Sequence, residues 1–210
     1  MAAQTDSDHA VDSAPPSDGR RRRREQGRLA VVDAVIDLLL DGHRPPGAED
    51  IAMRAGTSVA SVFRYFATLD ELRQAGIQRF LERIDHLVAV SDIGEGDLGR
   101  RINGLVSTRL AYYAQAAPIA RLARQRAVEV PELAITLQRV RATLSDQLDQ
   151  HFHAELKGLS RATRRHTVAA LATLTSFESW DQLVATGFSR QAIASTWRRA
   201  IAMLLTGEVA

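Results

Sequence analysis

Twelve residues, IAMRAGTSVASV at positions 51–62, decide the fold of the first part of the chain. They place the small Ala52 four residues before Gly56 and ten residues before Val62. This spacing is typical of a helix-turn-helix, in which a small residue lets two helices approach, a glycine forms the turn and an apolar residue fills the space between them. Gly56 suits a left-handed turn, and Ser58 suits the N-cap of the second helix.

Apolar residues at helical spacing flank this motif on both sides. Pro45-Pro46 prevents the continuation of a first helix, which is indicated by an apolar stripe at Val32, Val35, Ile36 and Leu39. After the motif, Thr68 and Glu71 match the capping box that opens a helix, and its apolar stripe runs from Leu72 to Val88. We therefore predict a helix-turn-helix domain over residues 25–72, followed by a long helix.

The second half of the chain is also predicted to be helical, because strand signals are almost absent and the apolar residues keep a helical period. One helix face is formed by Leu98, Ile102, Leu105, Arg109 and Tyr112. A short separate segment is expected from Pro118 to about Ala127, and Pro131 suits the first turn of the next helix. A single helix is expected from Ser160 through Leu183, and a last helix near Ser189. The predicted fold class is all-α.

Composition and charge exclude several classes of protein. The 210 residues contain no cysteine, which excludes disulfide scaffolds, thiol catalysis and cysteine-based zinc fingers. No apolar run approaches the roughly 20 residues that a membrane span needs. The first 19 residues contain four acidic residues and no apolar segment, so we expect no secretory signal and a cytoplasmic protein.

A block of five arginines, Arg20–Arg24, follows this acidic start. Blocks of like charge repel one another and rarely pack, so residues 1–24 are predicted to be a flexible tail with an arginine arm. Such an arm seeks phosphates on nucleic acid, since each neutralised phosphate releases a counterion. The alternative is compositional bias, because Lys157 is the one lysine among 27 basic residues.

Beyond the motif, the chain continues as Phe63-Arg64-Tyr65-Phe66 and then the capped Thr68 helix, and residues 28–88 resemble the TetR family of transcriptional regulators. The resemblance implies an N-terminal three-helix helix-turn-helix domain that binds DNA. It also implies that residues 73–210 form a helical domain that binds an effector and dimerises. Two positions depart from the family pattern: Gly47 replaces a frequent Thr cap, and Leu69 replaces a common phosphate-binding Lys. Arg20–Arg24 or Arg28 are the candidates to compensate.

The second helix of the motif supplies most of the predicted DNA contacts. Val59 and Ala60 suit thymine methyl groups, and Arg64 suits either a guanine or a phosphate. Ser61 and Tyr65 suit phosphates, which position the protein without specifying sequence. For each residue the alternative is an exposed helix position without a partner. The complete set of candidate DNA-binding residues is Ser58, Val59, Ala60, Ser61, Phe63, Arg64, Tyr65, Thr68 and Arg28.

The C-terminal half contains candidates for a ligand pocket and for a dimer interface. Arg109 is a charge on an otherwise apolar stripe, so it is predicted to pair with an anionic ligand, with Glu178 or with another carboxylate. The candidate ligand-binding residues are Arg109, Tyr112, Tyr113, Phe152, Phe177 and Trp180. Two apolar helices suit a four-helix bundle with a second copy. The candidates for the dimer interface are Leu171, Phe177, Trp180, Trp197, Ile201 and Leu204. The alternative is that these residues are buried in the core of a single chain.

Together with the resemblance, these observations predict a homodimeric regulator that a small apolar or aromatic effector releases from a palindromic double-stranded DNA operator. Repression is the expected effect, and activation is the alternative. A ligand-independent or nucleoid-type DNA-binding protein is the first alternative, and a helical-bundle enzyme is the second. No catalytic residue, metal site or cofactor is predicted: His151 and His153 point to nearly opposite sides of a helix. Asp149 shares a face with His153, but two ligands make a poor metal site.

Overall fold

A computed structural model describes residues 16–41 and 46–207, without the side chains at 16–18 and 84–87. The acidic start of the chain, the stop at Pro45 and the side chains of Ile84 and Leu87 in the long stripe lie outside the described residues. Every regular element within the described ranges is a helix, as the sequence predicts. The elements are α1 (Pro16–Leu40), α2 (Ala48–Arg54), α3 (Val59–Tyr65), α4 (Leu69–Val88), α5 (Leu98–Arg126), α6 (Pro131–His151), α7 (His153–Leu156), α8 (Arg161–Leu174), α9 (Phe177–Ala185) and α10 (Arg190–Thr206).

The first three helices form the predicted helix-turn-helix domain. Ala52 and Val62 are buried where α2 meets α3, and Gly56 adopts the left-handed conformation with φ of 62°. The Ser58 side chain accepts a hydrogen bond from the Ser61 backbone N–H, so it caps α3 as expected. At the start of α2, Gly47 provides no side-chain cap. All of the predicted stripe of α1 is buried: Val32, Val35, Ile36 and Leu39.

Helix α4 joins the two parts of the chain, because it packs against α1 on one side and α5 on the other. The Thr68 hydroxyl accepts from the Glu71 backbone N–H at 3.0 Å. The Glu71 carboxylate accepts from the Ala67 backbone N–H at 2.9 Å, one residue before the N-cap. The predicted capping box therefore forms in a slightly shifted version. Asp70 in the first turn pairs with Arg126 at the end of α5 at 3.1 Å.

Helix α5 lies at the centre of the C-terminal half and contacts α4, α6, α9 and α10. Its predicted face is buried at Ile102, Leu105, Arg109 and Tyr112. Pro118 lies inside this helix, so the separate segment predicted from Pro118 to Ala127 is wrong. A proline inside a helix costs about 3 kcal/mol. Burial of the neighbouring Ala117 and Ile119 offsets that cost.

The single helix predicted from Ser160 through Leu183 is also wrong, because the chain breaks between α8 and α9. Thr175 ends α8, and the Ser176 side chain caps α9 by accepting from the Ser179 backbone N–H at 3.1 Å. The apolar spacing of three residues therefore comes from two short helices with different directions. Each of them buries its own face rather than one winding surface.

The arginine block differs from the predicted flexible arm, because Arg20–Arg24 lie within α1. Arginine is among the good helix formers. Repulsion between like charges four residues apart on an exposed helix costs only a few tenths of a kcal/mol. The arginine block can therefore be helical despite the repulsion between its positive charges. All five arginine side chains are exposed.

Candidate functional sites

The outer face of α3 is exposed although it carries large apolar side chains. Val62 is the buried residue of this helix, whereas Val59 and Phe63 are 36% and 46% exposed. Ala60 and Arg64 are exposed as well. Exposed apolar residues grouped on one short, anchored helix are typical of a surface that contacts a partner.

A chain of hydrogen bonds orders the polar side chains of this face. The Ser58 hydroxyl donates to the Ser61 hydroxyl oxygen at 3.1 Å, and the Arg64 Nη2 donates to the same oxygen at 3.1 Å. The Arg64 guanidinium lies 5.3 Å from the centre of the Tyr65 ring. Tyr65 lies against α1 at Gly27, where a Cβ atom would collide with its hydroxyl group. The absence of a side chain at Gly27 therefore positions Tyr65 beside the first helix.

A basic cleft lies next to this face. Arg20, Arg23 and Arg24 of α1 line it together with Arg64 and Tyr65, and its volume is about 630 Å³. The helical conformation of the arginine block brings these guanidinium groups beside the exposed face of α3. A concentration of exposed arginines on one side of a protein attracts polyanions.

Two further candidate DNA-binding residues have structural partners of their own. Arg28 is half-buried, and its guanidinium lies 4.8 Å from the centre of the Phe66 ring. It also lies 3.9 Å from the Glu25 carboxylate. Thr68 is exposed and caps α4. Arg28 lies in α1 and Thr68 lies at the start of α4. Their contacts with DNA remain predictions.

A cavity of about 440 Å³ lies among α4, α5, α6, α8 and α9. It is lined by four of the six predicted ligand-binding residues: Arg109, Tyr112, Tyr113 and Phe177. The other two do not line it. Phe152 is fully buried against His151, and Trp180 packs against Phe177, with ring centres 5.4 Å apart. The presence of an aromatic side chain in the sequence therefore does not tell whether the residue lines the cavity or packs in the core.

Three charged residues outside the six ligand-binding candidates also line the cavity: Arg124, Arg141 and Glu178. Glu178 accepts hydrogen bonds from Arg124 Nε at 2.9 Å and from Arg141 Nη2 at 2.7 Å. Burial alone would raise the pKa of the Glu178 carboxyl, but the hydrogen bonds from Arg141 and Arg124 outweigh burial and lower its pKa to about 2. The Glu178 carboxyl is therefore ionised, and its carboxylate is hydrogen-bonded to Arg124 and Arg141. Of the three partners considered for Arg109, Glu178 is therefore not the one found, because Arg124 and Arg141 hold its carboxylate.

Arg109 is almost completely enclosed, with 1% of its surface exposed. Its Nη2 donates to the Leu144 carbonyl oxygen at 2.7 Å. Its Nε and Nη1 have no hydrogen-bond partner among the described residues. Burial lowers the pKa of the Arg109 guanidinium, and no carboxylate acts to raise it. The neighbouring Tyr113 hydroxyl donates to the Thr175 carbonyl oxygen at 2.8 Å, and burial raises the pKa of Tyr113 to about 12.

Both ring nitrogens of the buried His151, at the end of α6, have backbone hydrogen-bond partners. His151 Nδ1 accepts from the Gly94 backbone N–H at 3.2 Å, and Nε2 lies 2.9 Å from the Arg101 carbonyl oxygen. These contacts fit the neutral ring with the proton on Nε2. Asp149 pairs with Arg164 at 2.7 Å. In the described part of the chain, no group of three or more His, Asp or Glu side chains is placed to hold a metal ion.

The N-terminal helix-turn-helix, the linking α4 and the helical second half together have the fold of the TetR-family transcriptional regulators. A transcriptional regulator from Rhodococcus sp. Rha1 matches with a TM-score of 0.63 and 20% identity, over 89% of this chain and 99% of that chain. A tetR-family transcriptional regulator from Streptomyces coelicolor matches with a TM-score of 0.65 and 19% identity, over 88% of this chain and 80% of that chain. The multidrug binding protein EbrR, complexed with imidazole, matches with a TM-score of 0.57 and 20% identity, over 87% and 97%.

Comparisons by sequence find no such match: no family model matches the chain, and no curated protein matches it. The structural likeness therefore defines the fold. In the described residues, no helix combines the length and the apolar character that crossing a membrane requires.

Proposed function

We propose that the protein is a sequence-specific DNA-binding transcriptional regulator that acts in the cytoplasm. The observation that carries this proposal is the exposed face of α3, which lies beside the arginine-lined cleft in a fold shared with transcriptional regulators. A helix-turn-helix presents its second helix to the major groove, with the N-terminal residues near the base edges. We assign no catalytic role to the chain.

Within this proposal, the candidate DNA-binding residues of the helix-turn-helix domain and its borders divide into two groups. Val59, Ala60 and Phe63 meet thymine methyl groups or the groove wall, and Arg64 binds a guanine edge or a phosphate. The hydroxyl groups of Ser58, Ser61, Tyr65 and Thr68 and the guanidinium of Arg28 bind phosphates. The hydrogen bond between Arg64 and Ser61 supports this division, because it holds the guanidinium along the outer face of α3.

We propose a homodimer as the functional form, because two reading helices about 34 Å apart, or a small multiple of that distance, match a palindromic operator. We also propose that the cavity binds a small apolar or aromatic effector. Its volume of about 440 Å³ lies in the range of small-molecule sites, and one structural neighbour is described as a multidrug binding protein.

The proposed effector acts through α4. Phe80 and Leu81 of this helix line the cavity. The same helix packs against α1 of the helix-turn-helix domain, with Gly76 beside the Val35 side chain. A shift of α4 would therefore move the reading helices and change their spacing. A coupling free energy of about 1–3 kcal/mol would change operator affinity about 5- to 150-fold. Equal operator affinity with and without a bound effector would contradict this mechanism.

Replacement of Arg64 with alanine tests the proposed reading surface. Duplexes selected from a random pool by the wild-type protein supply the operator. We expect Arg64→Ala to weaken operator binding by about 1–3 kcal/mol, because one charged hydrogen-bonding group is removed from the groove. The matched control is Arg139→Ala on α6, an exposed arginine far along the chain from α3. Equal affinity of the two variants would reject the role of Arg64.

The arginine cleft is tested by the salt dependence of binding. We expect replacement of Arg20, Arg23 and Arg24 with glutamine to flatten the slope of log K against log salt by roughly 0.9 for each phosphate that the variant no longer neutralises. The control variant carries three substitutions to glutamine at exposed arginines elsewhere: Arg139, Arg161 and Arg190. Identical slopes for both triple variants would mean that the arginine block does not contact phosphates and reflects compositional bias.

A ligand-independent or nucleoid-type DNA-binding protein is the alternative function. It predicts DNA binding with little sequence preference and no change of melting temperature with apolar ligands. A thermal-shift screen separates the two functions, since a ligand that binds the folded state raises the melting temperature.

A further inference from the structure

We propose that the effector of the cavity is an organic anion: a compact aromatic or aliphatic body with a carboxylate that binds the Arg109 guanidinium. This inference rests on the proposed effector function and narrows it to one chemical class. It departs from the purely apolar ligand that the composition of the lining suggests. Three features of the cavity support it: the state of Arg109, the charge of the lining and the shape of the apolar walls.

Arg109 is a buried charge that has no counterion among the described residues. Of its nitrogen atoms, Nη2 donates to the Leu144 carbonyl, whereas Nε and Nη1 have no partner among the described residues. Isolated buried charges are unfavourable, and proteins normally pair them. A carboxylate accepts strong, charge-assisted hydrogen bonds from guanidinium N–H groups. Arg109 is therefore suited to bind an anionic group that enters the cavity.

Among the described residues that line the cavity, no carboxylate is available to Arg109. Glu178 is the acidic residue of the lining, and Arg124 and Arg141 already hold its carboxylate. The charged residues of the lining are three arginines and one glutamate, which gives the cavity a net charge of +2. In a site of low dielectric constant, this excess favours an anion over a neutral or cationic ligand.

The walls accommodate the body of such a ligand. Apolar side chains form most of the remaining surface, among them Leu81, Ala116, Leu137 and Val140. The volume of about 440 Å³ suits a molecule of one or two rings, near the lower end of typical ligand sites. Tyr113 donates its hydroxyl proton to the Thr175 carbonyl oxygen, whereas Arg109 Nε and Nη1 have no partner among the described residues.

The test compares three carboxylates with their primary amides by isothermal titration calorimetry. The pairs are benzoate and benzamide, 2-naphthoate and 2-naphthamide, and 4-phenylbutyrate and 4-phenylbutyramide. For the pair that binds best, we expect the wild-type protein to prefer the acid about 10- to 100-fold, the range for charge-assisted hydrogen bonds. We expect Arg109→Gln to reduce this preference to less than about threefold while amide binding persists. Arg139→Gln on α6, outside the cavity, is the control and should keep the preference.

The outcomes separate this inference from the proposed function. Amides that bind as tightly as their acids to the wild-type protein would overturn the anion class and leave an effector site in place. Failure of every acid and every amide to bind would overturn the effector function itself. The wild-type comparison does not depend on any variant folding. As a second measurement, we expect Arg109→Met without ligand to melt at the wild-type temperature or above it, because an uncompensated charge is removed. A clear decrease would identify Arg109 as a structural residue and contradict the inference.

Discussion

Replacing Glu155 with alanine is expected to lower the free energy of unfolding by about 3–5 kcal/mol, the cost of leaving one partner of a buried ion pair alone. Arg101 is 5% exposed and Glu155 is 18% exposed. Arg101 Nη1 donates to Glu155 Oε2 at 2.8 Å, and Nη2 donates to Oε1. After the substitution, Arg101 would keep its hydrogen bond to the His151 carbonyl oxygen, at 2.9 Å, and its charge would remain buried.

The position of this pair explains the size of the expected effect. Arg101 lies in the first turn of α5, and Glu155 lies in α7, which follows the end of α6. The same region contains His151, whose ring bonds both the Arg101 carbonyl and the Gly94 backbone N–H. Loss of the carboxylate would therefore loosen the packing of three segments of the chain rather than one side chain.

Urea unfolding, followed by circular dichroism at 222 nm, measures the effect. The matched control is Asp149→Ala, which breaks the more exposed pair with Arg164 and is expected to cost at most about 1 kcal/mol. A double variant, Arg101→Met with Glu155→Leu, removes both charges and should recover much of the lost stability. A loss below 1 kcal/mol for Glu155→Ala would contradict the assignment of a buried pair.

The pH dependence of stability has a defined sign for this pair. Burial alone would raise the pKa of Glu155, but the hydrogen bond from Arg101 and the charge of that residue outweigh burial, so the folded-state pKa lies below the ordinary value of 4.5. The stabilisation is therefore complete above the unfolded-state pKa and is lost as the pH falls through the lower folded-state value. The difference between wild type and Glu155→Ala should shrink below about pH 4.5.

The helix-turn-helix was predictable from sequence because its determinants are local. The spacing of Ala52, Gly56 and Val62 fixes two helices and their turn within a few residues, and the structure shows the left-handed glycine and the buried valine. Serine and threonine caps are local signals as well. Ser58 and Thr68 cap the helices that the sequence assigns to them, and Ser160 and Ser189 cap helices at the two later starts that the sequence indicates.

The second half was less predictable because its outcome depends on which helix faces meet. Pro118 would end an isolated helix, but burial on both sides keeps α5 continuous. The break at Ser176 is hidden by apolar residues that continue at the same spacing into α9. The partner of Arg109 depends on the positions of α6 and α9, which bring Arg124 and Arg141 rather than Arg109 to Glu178. No local pattern contains this information.

The proposed dimer interface illustrates the same dependence on tertiary packing. Five of the six candidates are buried within the chain itself: Leu171, Phe177, Trp180, Trp197 and Ile201. For these five residues, burial in the core of one chain, the alternative to a dimer interface, is therefore confirmed. Leu204 on α10 is 41% exposed, so it remains a candidate for contact with a second copy. Val184 and Phe188, which precede α10, are also exposed, at 38% and 44%.

Replacing Trp197 with alanine is the second change with a large expected effect, a loss of about 3–5 kcal/mol. Trp197 is fully buried, and its ring meets the Tyr113 ring edge-to-face with centres 6.4 Å apart. The substitution removes a large side chain between α10 and the central α5 and leaves a cavity that the surrounding helices cannot fill. Urea unfolding measures the loss, and a cost below about 1 kcal/mol would contradict the assignment of Trp197 to the core.

Leu204→Glu provides the complementary measurement, because Leu204 and Trp197 lie on the same helix. If α10 meets its copy at Leu204, sedimentation velocity will show monomers for Leu204→Glu, whereas circular dichroism will retain the wild-type helix content. Gln138→Glu on the exposed surface of α6 is the control and should remain dimeric. Trp197→Ala should lower stability at every protein concentration, since its defect lies within one chain. A dimeric Leu204→Glu variant would move the interface away from this part of α10.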